Sequence, residues 1–166
     1  MKKYGTLIFL IIVAACKPTA FKNEAVNLVS DCPGDGSCTM KIFPDKGIIT
    51  KAGENNGNFH YEMVADAAKS TVVYEYSKNV PKNVMDAGLR EEIVLEIDDT
   101  IKEGKFTDFP SAVFGRFCYC KGYTGYYKIK TGILTVSERD GQRYFNFQFK
   151  IDEVPQITQS IDFSIK

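Results

Sequence analysis

Tyr144-Phe145-Asn146-Phe147-Gln148-Phe149-Lys150-Ile151-Asp152 alternates apolar and polar side chains without a break. Successive side chains of an extended chain leave opposite faces. Phe145, Phe147, Phe149 and Ile151 therefore share one face, and Asn146, Gln148, Lys150 and Asp152 share the other. A helix would scatter the three rings around its axis, so the pattern specifies a half-buried β-strand. The preceding Arg139-Asp140-Gly141 is turn chemistry, which makes this strand the second arm of a hairpin whose first arm is Ile133–Val136.

The same grammar runs outward in both directions. Strands are expected at Thr39–Phe43 and Ile48–Lys51, separated by a turn at Pro44-Asp45-Lys46-Gly47. Asn55-Asn56-Gly57 is a second turn, followed by Phe59–Ala65 and Thr71–Ser77. Residues 79–90 read as a loop or short helix. In Glu92–Ile97, Ile93, Leu95 and Ile97 take one face, and Glu92 and Glu96 take the other. Ala112–Tyr119, Tyr126–Lys130 and a last strand over Ile157–Ile165 complete the set. About ten short strands at roughly 8–12-residue spacing predict an all-β, antiparallel sandwich or barrel of about 8–10 strands. No stretch of helical periodicity competes, and no repeat or interior linker marks a second domain.

The chain has 166 residues, with 21 basic and 21 acidic side chains. Its start is organised differently from the rest. Lys2 and Lys3 precede an apolar run, Leu7–Ala15, that is too short for a lasting membrane span, which needs about 20 residues. Small residues Ala14 and Ala15 precede Cys16. This is the three-part pattern of a secretory signal, and Ile12-Val13-Ala14-Ala15-Cys16 resembles the lipobox of bacterial lipoproteins. The resemblance covers residues 1–16. It implies cleavage before Cys16, a diacylglycerol thioether and an N-acyl chain on that residue, and a membrane anchor; more than one acyl chain is what makes such anchoring stable. Lys17, where an aspartate would retain enteric lipoproteins at the inner membrane, points to the outer membrane. The body is similar in size, cysteine style and strand density to small β-rich lipoproteins of Bacteroidetes-type bacteria, a likeness that supplies no catalytic residues.

The expected organisation is then a cleaved signal peptide over residues 1–15, a lipidated tether over 16–30 with a helical turn at Glu24–Leu28, and a β-domain over 31–166. Removing Lys2 and Lys3 leaves 19 basic against 21 acidic residues, a net charge near −2. That balance offers no basic surface for nucleic acid.

Four cysteines remain: Cys32, Cys38, Cys118 and Cys120. An exported chain meets an oxidising compartment, so two disulfides are expected among three connectivities. Cys118 and Cys120 in a straight strand would sit roughly 6.5–7 Å apart, at the limit of disulfide reach. Two crossed bridges from Cys32 and Cys38 to Cys118 and Cys120 are therefore favoured. Each would close a loop of roughly 80 residues, contributing ~4 kcal/mol in a chain-entropy account. Local pairing is the alternative, leaving Cys118 and Cys120 strained or redox-active. A four-thiolate zinc site fits the C-x₅-C and C-x-C spacings poorly.

Nothing converges into a catalytic constellation. His60 is the one histidine, and Glu62 shares its face at i, i+2, a pair too small for a metal site. Gly34-Asp35-Gly36-Ser37 is neither a nucleophile elbow nor a calcium loop. Phe114–Lys130 interleaves aromatics with Arg116, Lys121, Lys128 and Lys130. Its glycine-flanked loop makes Tyr123, Tyr126 and Tyr127 the first candidate ligand face. The expected function is a non-enzymatic, lipid-anchored binding or scaffolding domain that needs no cofactor or metal, its partner an envelope protein or a glycan. One alternative is a barrel whose Phe145, Phe147, Phe149 and Ile151 line a cavity for a lipid or small hydrophobe. Another is an envelope thiol oxidoreductase using Cys118 and Cys120.

Overall fold

The computed structural model describes residues 25–52, 59–84, 87–108 and 111–166. The expected signal peptide, Cys16 and the Asn55-Asn56-Gly57 turn lie outside them. The described residues form ten strands in two antiparallel sheets of five. The strands are β1 (Val26–Leu28), β2 (Gly36–Ala52), β3 (Phe59–Lys78), β4 (Leu89–Asp98), β5 (Gly104–Phe106), β6 (Ala112–Cys118), β7 (Gly125–Lys128), β8 (Thr131–Arg139), β9 (Gln142–Lys150) and β10 (Ser160–Ile165). Sheet A runs β1-β10-β9-β8-β5, and sheet B runs β2-β3-β4-β6-β7. The sheets are not closed into a barrel; they face each other as a sandwich.

β9 confirms the deciding pattern. Phe145, Phe147 and Phe149 point inward and are at most 5% exposed. They meet Leu134 and Val136 of β8, Ile161 and Phe163 of β10, and across the sandwich Val72, Ile93, Leu95 and Phe114. The Phe145 and Phe163 rings stack at 4.9 Å, and Phe147 stacks on Phe149 at 5.3 Å. These aromatic side chains, expected to line a cavity in the carrier alternative, are packed into one continuous core. The hairpin turn is also as expected: Arg139 pairs with Gln142, and Asp140 and Gly141 both take positive φ, 53° and 70°. Two central residues with positive φ match the twist of the flanking strands.

The first half of the chain departs from expectation. Pro44–Gly47 is not a turn. β2 is one 17-residue strand with a register shift between Pro44 and Lys46, and Asp45 sits at φ 55°. The expected strands on either side are one strand, and likewise on β3, which runs for 20 residues and sets residues 66–69 opposite the single Asp45, so the bulge is carried by β3. A bulge bends the strand that carries it. Here the bend turns the distal arm, Gly47–Ala52 with Phe59–Ala65, over the outer face of sheet B. Ile48 of the arm is buried with Val94 and Val113, and Tyr61 and Met63 pack alongside. Two straps hold the corner: Thr71 Oγ1 donates to the Lys46 carbonyl at 2.8 Å, and Ser70 Oγ donates to Asp99 at 2.7 Å. The end of β3 then reaches β7 through the pair Phe59–Tyr126.

The Glu24–Leu28 segment does not supply a helical turn from Val26 onward. Val26–Leu28 is β1, pairing with β10 through Val26–Ile165 and Leu28–Phe163. β5 is a short edge strand that the sequence reading does not include.

Candidate functional site

The crossed disulfides are not formed. Cys32 bonds Cys38, and Cys118 bonds Cys120. The expectation failed because it assumed a straight strand through Cys120. β6 ends at Cys118, the chain bends at Tyr119, and the two Cα atoms are 5.2 Å apart. That lies within ordinary disulfide reach. Cys38 Sγ is 2.9 Å from the Tyr74 hydroxyl. A bridged sulfur carries no proton, so the tyrosine donates.

The three candidate tyrosines do not converge. Tyr127 pairs with Phe114 and turns inward against the core. Tyr126 turns to the outer face of sheet B, under the folded-over arm. Tyr123 sits on the exposed loop, 46% accessible. Gly115 makes room for Tyr126: a Cβ there would lie 2.8 Å from both the Phe117 and Tyr126 rings.

Beneath the arm lies a network on the β4 face that carries Glu92 and Glu96. Glu92 accepts from the Tyr61 hydroxyl at 3.1 Å, the Tyr126 hydroxyl at 3.3 Å and Arg90 at 3.1 Å. Arg90 also bonds Glu75 at 2.8 Å and lies 4.2 Å over the Phe117 ring. Burial, and after it the Glu92 carboxylate, pushes Tyr126 up to about 12 and raises Tyr61 as well. Glu96 accepts from the Ile48 amide at 2.8 Å and from Lys69 at 2.7 Å. On the opposite face of β4, fully buried Glu91 accepts from Arg116 at 2.7 Å and from the Ile157 and Thr158 amides. These three glutamates are committed to neighbours, which suits anchoring of the arm and of the 151–159 loop.

His60 and Glu62 do share a face, 3.6 Å apart, with Lys51 at 2.6 Å from Glu62. All three are exposed, and no cluster with metal-ligand composition occurs among the described residues.

The outer face of sheet A is different. No described element covers it. From β8 it presents Thr131, Ile133, Thr135 and Ser137; from β9, Tyr144, Asn146, Gln148 and Lys150. β10 adds Ser160 and Asp162 opposite Gln148 and Asn146. Two hollows lie end to end along these strands. One, of about 210 Å³, is lined by Val29, Thr135, Ser137, Tyr144, Asn146 and Asp162 among others. The next, of about 540 Å³, is lined by Thr131, Ile133, Gln148 and Ser160 among others. A relay fixes the floor: Gln148 Nε2 donates to Asn146 Oδ1 at 2.9 Å, and Asn146 Nδ2 donates to Asp162. The sequence reading assigned Asn146 and Gln148 only to a solvated face. The available signal was composition: two amides stand where a solvated strand more often carries charge.

Comparison with protein-family models, curated proteins and solved structures gave no match.

Proposed function

We propose that the chain is a lipid-anchored, non-enzymatic binding domain of the bacterial cell envelope, held at the outer membrane through Cys16. One observation carries the binding part: the two sheets are treated unequally. Sheet B has the centre of its outer face, around Val94 and Val113, covered by its own hairpin, whereas sheet A leaves a hollowed face bare among the described residues. The commitment of Glu91, Glu92 and Glu96 to structural partners favours binding over acid–base catalysis. The anchor rests on the residues that open the sequence: two lysines, a short apolar run, small residues and Cys16. Lipid-anchored chains partition with membranes through their acyl chains. Cys16→Ser should therefore move an epitope-tagged chain from the membrane to the soluble fraction. Continued membrane association of the variant would remove the anchor.

A second reading is favoured by one observation, the local Cys118–Cys120 bridge beside Tyr119, which is 84% exposed. A thiolate of a reduced partner would attack one sulfur and release the other as thiolate. The partner's second thiol would complete the exchange, leaving the partner oxidised and the pair reduced. Differential alkylation under mild reductant separates the readings: a pair that stays unlabelled rules out the oxidoreductase.

A further inference from the structure

We propose that the outer face of sheet A binds an uncharged oligosaccharide, laid along β8, β9 and β10 across the two hollows. This rests on the binding-domain reading and names the ligand class of its bare face.

The charge pattern excludes the other common partners first. A polyanion requires rows of Lys or Arg, because phosphate and sulfate contacts dominate its affinity. The middle of this face has one cation, Lys105 of edge strand β5, exposed and directly opposite Thr135, and a single lysine makes no row. Arg139 stands at one end of the smaller hollow, and Lys150 is held 2.6 Å from Asp152. A protein partner favours a desolvated apolar centre with a polar rim. Here the arrangement is reversed, with amides and hydroxyls at the centre. The exposed apolar side chains, Val29 and Ile133, are divided between the hollows.

A neutral sugar matches what remains. Each sugar hydroxyl both donates and accepts, and side-chain amides and hydroxyls can answer both. Asp162 adds a carboxylate whose Oδ1 accepts a hydrogen bond from Asn146 Nδ2, leaving Oδ2 for a ligand hydroxyl. The Tyr144 ring, Val29 and Ile133 provide flat or apolar contact for the C–H faces of pyranose rings. Side chains on one face repeat about every 6.8 Å along a strand, so the four rows from Ser137 to Thr131 span roughly 20 Å. That length suits a short oligosaccharide better than a single sugar. The Gln148–Asn146–Asp162 relay holds the amides in place before binding, which lowers the ordering cost.

The test is affinity electrophoresis of the full chain through gels holding xylan, mannan, β-glucan or starch, with polygalacturonate and heparin as charged counterparts. The expected result is retardation by at least one neutral polysaccharide, insensitive to salt. Tyr144→Ala and Gln148→Ala should each weaken it about tenfold, equivalent to about 1.4 kcal/mol. Gln148 is a surface residue, so its variant keeps the fold if Tyr144→Ala does not. The inference is overturned if no neutral gel retards the protein, if only polyanions do, or if a fully folded Gln148→Ala binds unchanged. A photo-crosslinker at Thr135 in intact cells separates the two levels. Capture of an envelope protein without glycan retardation overturns the glycan and keeps the binding domain. Neither capture nor retardation overturns both.

Discussion

At Glu91 and Arg116, cross-strand neighbours within sheet B, a buried charge pair holds the 151–159 loop, and its two members are not equal in consequence. Glu91 is fully buried, while the Arg116 side chain keeps 12% exposure. Removing the arginine leaves a carboxylate with two backbone amides but no cation. Arg116→Ala should therefore cost about 3–5 kcal/mol, whereas Arg116→Lys, which keeps a cation beside Glu91 and leaves the Ile157 and Thr158 amides paired, should cost much less. Urea midpoints of the two variants check this; equal losses would mean the retained cation contributes nothing. The tyrosines under the arm give a pH dependence. Tyr126 titrates near pH 10.0 when unperturbed and about 12 in the fold. The native state thus holds the phenolic proton more tightly than the unfolded chain. Its contribution is complete below pH 10 and disappears as pH rises through about 12. Tyr126→Phe, which cannot ionise, should flatten the alkaline fall in thermal midpoint; an unchanged slope would detach Tyr126 from it. Neither role is legible from spacing. Arg116 stands among bases interleaved with aromatics and Glu92 shares a strand face with Glu96, but period-two alternation tells which side chains share a face and not what covers that face.

Among the elements, β9 was legible to within two residues at each end, since one of its faces is core and the other is solvent. The corner of β2 was not. A bulge and a turn call on the same chemistry, a residue tolerant of left-handed backbone, and Pro44-Asp45 supplies it for either. Asp45 at φ 55° is where β2 leaves its register, opposite residues 66–69 of β3. Deleting it would exchange the two faces of Lys46–Ala52 relative to the first half of β2, because the side-chain period is two. Ile48 would turn outward and Glu96 would lose its backbone amide donor. A loss of about 3 kcal/mol is expected from the exposed side chain and the orphaned carboxylate. Hydrogen exchange should quicken at arm amides such as Val64 while β9 amides remain slow. Unaltered protection in the arm would show that the bulge is not what sets its register.

For the whole molecule, local disulfides change the stability account. Crossed bridges would have tied β2 to β6 with ~4 kcal/mol each, whereas separations of six and two residues yield about 2 and about 1.5 kcal/mol in the same chain-entropy account. The sandwich is then held mainly by its shared core. Reduced protein should keep a single cooperative thermal transition at a lower midpoint; collapse to an unfolded spectrum on reduction would contradict it. The all-β class was legible because turn residues punctuate so many short alternating runs. The choice of sandwich over barrel was not, because it depends on which distant strands pair. The covered and bare faces differ further in their freedom to change. Substitutions on the outer side of sheet B disturb the seating of the arm, so that side is bound to the fold's own upkeep. The outer side of sheet A carries little of that burden. It can drift, acquire new specificities and be re-sculpted by selection or by design, with the scaffold behind it left intact.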